Sequence, residues 1–269
     1  PVLLIVAFLA AGRSPMRAAF WGVVSALALA FLRPSTRPSL QGIFRMVEGA
    51  GRGAVQVAAA CAAAGIVVGV ASLTGIGLRM SELIVTLSHG NLLVALGLTA
   101  LGSIVLGMGL PTTAAYVVLA ALGAPALVEL GVPLLAAHLF IFYFGCISNV
   151  TPPVSLAAFA AAGIADAPPV RTAVSAAILA GAGFLVPFMF IYGPPLLLGG
   201  SVPEIVVVTL TATMGVTALA AATMGYGRRP LAGWERLVLG AGALCLVFPG
   251  LVTDGAGLVA LAVVFFRGR

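Results

Sequence analysis

Two stretches without a charged side chain interrupt otherwise apolar sequence: Gly107-Met108-Gly109-Leu110-Pro111-Thr112-Thr113 and Ser148-Asn149-Val150-Thr151-Pro152-Pro153. Both carry residues that end helices. Gly107 and Gly109 let the backbone leave helical geometry. Proline lacks the N–H that a helix interior needs and pushes the preceding residue towards extended backbone. In the hydrocarbon core of a bilayer each freed backbone group costs on the order of several kcal/mol unless protein or a polar cavity covers it. If the flanking runs lie in lipid, these two breaks must turn inward.

The composition puts the flanking runs in lipid. The chain of 269 residues is 62% hydrophobic and 7% charged, with a mean hydropathy of +1.22; a soluble domain carries roughly 25% charged residues. Spans of about 20 residues are expected. The sequence divides into a partial span over 1–11, a short one over 18–32, an amphipathic interfacial helix within 33–52, and a full span over 54–74. A second interfacial stretch covers 75–90. A pair of helical arms over 91–122 encloses the first break. Residues 133–165 form an apolar run of about 50 Å if helical, too long for one straight span and interrupted near its middle. Further spans are expected over 170–198, 205–224, 231–248 and 251–266. The fold class expected is all-α and polytopic. Pro1 opens directly into an apolar run with no basic leader or cleavage site, so the chain is read as the C-terminal part of a longer protein.

Every cationic side chain is arginine. Alternate loops collect Arg33, Arg37, Arg45 and Arg52, then Arg171, then Arg228, Arg229 and Arg236, then Arg267 and Arg269, against Arg13, Arg17 and Arg79 on the other side. The positive-inside rule makes the richer side cytoplasmic, and the excess arginine reads as topology, not as nucleic-acid binding. Residues 91–122 enter and leave from the outer side, and an uncharged Gly/Pro/Thr tip suits a re-entrant hairpin buried in protein.

Broken helices near the bilayer midplane are where secondary transporters hold substrate and coupling ion. At the first break, Pro111 suits the start of a new helix and Thr112 and Thr113 place hydroxyls there. At the second, Ser148, Asn149 and Thr151 are hard oxygen donors; with freed carbonyls they can hold a sodium ion without a carboxylate. The competing reading for each break is a packing kink. His138 reads as a packed or interfacial histidine; Glu129, Asp166, Glu204 and Asp254 read as solvated loop residues. Cys61, Cys146 and Cys245 have no metal or redox spacing. No mid-span charge, paired carboxylates or HExxH appears, which argues against an enzyme. No cofactor is expected beyond a coupling ion, sodium or a proton.

The stretch from Leu106 to Tyr116, the segment Ala136-Ala137-His138-Leu139-Phe140 and the run from Asn149 to Ile164 together resemble the large membrane subunit of TRAP (tripartite ATP-independent periplasmic) transporters, in the fused form that partners TAXI-type binding proteins. Most of residues 1–200 carries the resemblance; 201–269 look like the extra C-terminal spans of some fused members. The resemblance implies the second inverted repeat of an elevator-type transporter, with a re-entrant hairpin at 91–122 and a discontinuous helix at 133–165. By position, Gly107, Gly109, Thr112 and Thr113 would be the hairpin tip, and Ser148, Asn149, Thr151 and Pro152 the helix break, together forming one cation site. It further implies a multi-pass protein of the bacterial inner membrane importing a small organic acid. The partners would be a periplasmic TAXI-type solute-binding protein and the N-terminal half of the permease. The alternative is a binding-protein-independent sodium/dicarboxylate symporter of the same superfold.

Overall fold

The computed structural model describes residues 1–32, 36–227, 229–248 and 250–266. Among them the secondary structure is helical, with one isolated bridge between Tyr226 and Pro230. The helices are α1 (Val2–Ala10), α2 (Pro15–Leu32), α3 (Leu40–Thr74), α4 (Ile76–Ser88), α5 (Leu92–Gly107), α6 (Thr112–Glu129) and α7 (Leu134–Ile147). They continue as α8 (Leu156–Ala165), α9 (Pro169–Leu179), α10 (Val186–Tyr192), α11 (Val202–Met224), α12 (Gly233–Cys245) and α13 (Leu251–Phe266). Four of these, α2, α3, α6 and α11, are long and apolar enough to cross a membrane, and the bent pair Pro169–Leu179 and Gly181–Tyr192 passes as a fifth. Large apolar side chains are exposed along many of these helices, Leu73 and Ile164 at 90%, and such extended apolar surface suits contact with hydrocarbon. The protein is an all-α polytopic membrane protein.

Two compact units divide the chain, Pro1–Ala59 and Ala60–Arg269. In the first, α1 packs on α2, and Gly22 admits the side chain of Ile5 against the helix backbone. In the second, the core is built by α5, α6, α7 and α10 through Leu96, Leu119, Leu127, Phe140, Phe144 and Ile191. Phe140 stacks edge-on to Phe188 at 5.3 Å between centroids, fixing α7 against α10. A separate cluster joins α11, α12 and α13 through Ala218, Leu239, Ala243 and Leu261. Alanines such as Ala115, Ala137, Ala218 and Ala243 sit between the large side chains and let the helices approach closely.

The helix ends follow local chemistry. Asn91 Oδ1 accepts the N–H groups of Leu93 and Val94 at 3.0 and 3.3 Å and starts α5. Glu204 accepts the N–H of Ser201 at 2.9 Å and starts α11. Arg236 donates to the carbonyls of Ala222 and Thr223, at 2.8 and 3.0 Å, and closes its far end.

Three expectations need correction. The interfacial helix within 33–52 is not separate from the span at 54–74: α3 runs unbroken for 35 residues, about 52 Å. Gly49, Gly51 and Gly53 each cost only about 1 kcal/mol in a helix, and the Arg52–Glu48 pair at 2.7 Å bridges that turn. The span expected over 170–198 is broken, with 3-10 segments at Gly181–Leu185 and Pro194–Leu197 around α10. The acidic residues assigned to loops sit at helix ends: Glu129 closes α6, Asp166 follows α8, and Glu204 and Asp254 lie in the first turns of α11 and α13. Asp254 is not simply solvated, since its Oδ1 is buried without a hydrogen-bond partner among the described residues. Arg33, Arg228, Arg267 and Arg269 lie outside the described residues.

Candidate functional site

Helix α7 stops at Ile147 and passes through a 3-10 turn, Ser148–Val150, into irregular backbone that ends where α8 begins. The polar side chains here bond back to the helix they leave. Ser148 Oγ donates to the Gly145 carbonyl at 2.6 Å, and Thr151 Oγ1 to that of Ile147 at 2.8 Å. Asn149 Nδ2 donates to Cys146 at 3.4 Å. Each hydroxyl has thereby committed its single hydrogen, so what it still offers is lone pairs. A cluster of acceptor-only neutral oxygens suits a hard cation. Among the described residues no three of His, Cys, Asp or Glu come together as a metal group.

The first break is a tight tip. Leu110 N donates to Gly107 O at 3.3 Å, Gly109 takes a positive φ of 76°, and Pro111 leads into α6. The tip rests on the second break. A Cβ placed on Gly107 would lie 2.9 Å from Ser148 Oγ and 3.3 Å from Gly145 Cα, and one on Gly109 would lie 3.9 Å from Val154. Absence of a side chain at residue 107 is what lets the two breaks touch.

The fold thus brings Gly107 and Gly109 onto the second break, with Ser148 buried at the contact and Asn149 and Thr151 half-buried on the same turn. Pro152 is exposed beside them. Thr112 and Thr113 are exposed in the first turn of α6, and among the described residues no hydrogen bond joins them to 148–155. Reading the sequence missed Gly145, Ser155 and the pairing of Tyr116 with His138. Gly145 lies under both Gly107 and Leu119, whose Cδ1 would be 3.0 Å from a Cβ there. Ser155 is fully buried at the start of α8 with φ 37°, and its Oγ has no hydrogen-bond partner among the described residues; a serine just before an apolar run reads as an ordinary N-cap, yet its side chain makes no capping bond. Tyr116 and His138 form a hydrogen bond that sequence spacing could not reveal.

A polytopic helical protein in which two polar helix breaks meet inside apolar sequence has the architecture of a membrane transporter. Residues 1–205 match the family described as "Tripartite ATP-independent periplasmic transporter, DctM component", and the chain belongs to it. The match spans both breaks and ends within the first turn of α11, leaving α12 and α13 outside. No curated protein and no solved structure matches the chain. The chain is therefore a TRAP-type membrane permease for solute uptake, of a family that implies a periplasmic binding protein and a small membrane partner.

Proposed function

We propose that this permease is the fused, TAXI-partnered form and that its hairpin tip and helix break close on a coupling cation. The hairpin, residues 91–122, re-enters from the periplasmic side of a bacterial inner membrane. The broken helix, residues 133–165, meets it near the midplane, and the two belong to the second repeat of an elevator-type carrier whose first repeat lies in the N-terminal half. Residues 201–269 add spans outside that repeat. The solute is a small organic acid delivered by a periplasmic TAXI-type protein. The cation, sodium in this reading, would be held by Ser148, Asn149 and Thr151 with carbonyls at Gly109 and Pro152, and by Thr112 or Thr113 once the tip closes further.

The observation that supports this best is the seat of Gly107 on Ser148, which puts a polar, uncharged cluster under the tip between α5 and α6. Because the cluster is neutral, a bound cation adds charge that an organic anion offsets, which couples the two binding events. In the complete transporter, Thr151→Val keeps volume and removes the hydroxyl. It is expected to raise the sodium concentration for half-maximal uptake several-fold, as is Asn149→Ala, with Ser175→Ala unchanged. Unaltered ion dependence in both variants makes the breaks packing kinks.

A further inference from the structure

The tip and break carry only serine, threonine, asparagine, glycine and proline with apolar residues, none of which takes up a proton near neutral pH. Yet α6 and α7 do contain a group that can. Tyr116 Oη and His138 Nδ1 are 2.9 Å apart, across 22 residues of chain and between two core helices. Tyr116 stands four residues into α6 beyond Thr112, about 6 Å along the helix, and His138 stands ten residues before Ser148, about 15 Å. The pair lies between the tip contact and the start of α7. Phe142 packs edge-on to the tyrosine ring at 5.6 Å and holds it in place. Ionisable side chains inside membrane segments are costly and mark ion or proton paths.

We propose that His138, paired with Tyr116, is a proton-binding site of this permease, separate from the tip–break cluster; this rests on reading the chain as an ion-coupled carrier. The chemistry needs no other partner. With the imidazole neutral, Tyr116 O–H donates to the Nδ1 lone pair, and the ring proton sits on Nε2. A proton arriving from water bonds to Nδ1. The tyrosine keeps its own proton, rotates it away, and turns its oxygen lone pair to accept from Nδ1–H. One hydrogen bond persists in both states with its direction reversed, so the pair takes up charge without parting α6 from α7. The other ionisable groups on elements packed against α7 are Glu129 at the end of α6, Tyr192 on α10, and Tyr143 and Cys146 on α7 itself; α5 has none. No arginine lies on α5, α6, α7 or α10, and Glu129 is the one carboxylate on them; α4, which packs on α6, carries Arg79 and Glu82.

The test uses the complete permease in lipid nanodiscs with 15N-labelled histidine, in choline chloride without sodium. His138 is assigned by His138→Gln, and exposed His89 serves as the internal reference. As the pH is lowered from 8 to 5 the Nδ1 resonance of His138 is expected to change from an unprotonated acceptor to an N–H. Tyr116→Phe should move its midpoint by about 0.4–1 pH unit, the difference between a charge-assisted and a neutral hydrogen bond, while His89 stays in place. A His138 that keeps one protonation state throughout, or one indifferent to Tyr116→Phe, makes the pair a structural tether and overturns the proposal. Because sodium is absent, this result stands apart from the Thr151→Val test of the tip–break site, and either reading can fail alone.

Discussion

Two helices are broken inside the same unit, and they are broken differently. Between α7 and α8 the interruption carries Ser148, Asn149, Thr151 and Ser155. Between α9 and α10 it carries Gly181, Ala182, Gly183, Phe184 and Leu185, with a bend of 50° and no polar side chain. The second break keeps its backbone paired through tight turns, such as Gly183 N to Ala180 O at 2.7 Å. A chain can thus bend within lipid at small cost using glycine alone. Polar side chains are not needed for bending, so their presence at 148–155 calls for another role. The bent helix at 169–192 is the internal control for the one at 134–165.

The sharpest way to break this contrast is to add one methyl group to a glycine at each place. Gly107→Ala pushes a Cβ into Ser148 and the Gly145 backbone at 2.9 and 3.3 Å, whereas at Gly181 the nearest atom is the Thr223 methyl at 3.5 Å, an ordinary contact. Uptake by the complete transporter is expected to fall at least about tenfold for Gly107→Ala, in line with an overpacking penalty of roughly 1–3 kcal/mol, and to stay within about twofold for Gly181→Ala. Equal losses would erase the distinction.

A smaller effect separates hydroxyls. Ser148→Ala removes a buried oxygen at the tip contact, while Thr223→Val removes one that only bonds back to Leu219 and Ala220 within α11. The first should weaken sodium dependence of uptake about three- to tenfold, for a net hydrogen-bond-sized loss. The second should leave it unchanged. If both variants behave alike, back-bonding alone explains the serine.

The smallest signal concerns access. Cysteines at Met108 and Leu110 should resist a bulky impermeant thiol reagent from the cytoplasm in every transport state, as a tip packed on Gly145 and Val154 would. Labelling throughout the cycle would favour an ordinary cytoplasmic turn.

The same pair of breaks shows what the sequence could reveal. The interruption at 148–153 was legible because Pro152 and Pro153 cannot continue a helix. The one at 181–193 was not, since glycine and alanine inside an apolar run look like packing residues and Pro187 sits where a new helix tolerates it. Helix α3 was divided for the opposite reason: a change from polar to apolar composition after Arg52 resembled a boundary, but nothing there removes a backbone hydrogen bond. Residue types pointed to the two clusters, and family resemblance joined them. Their contact through Gly107, Ser148 and Gly145 depends on how α5 and α7 pack, which no local pattern carries. Ser155 and the Tyr116–His138 pair were hidden for the same reason.

The orphaned hydroxyl of Ser155 bears on the speed of the machine. A buried oxygen without a partner makes the packed arrangement less stable by about 1–3 kcal/mol than it would otherwise be. A carrier must leave every arrangement it enters, and an over-stable one becomes a trap that slows turnover. Ser155→Ala relieves that burden without adding bulk. It should raise the melting temperature of the purified permease by a few degrees and lower its maximal uptake rate, while apparent ion affinity stays constant or rises. The serine would then act as a release spring, keeping the resting arrangement shallow enough to escape.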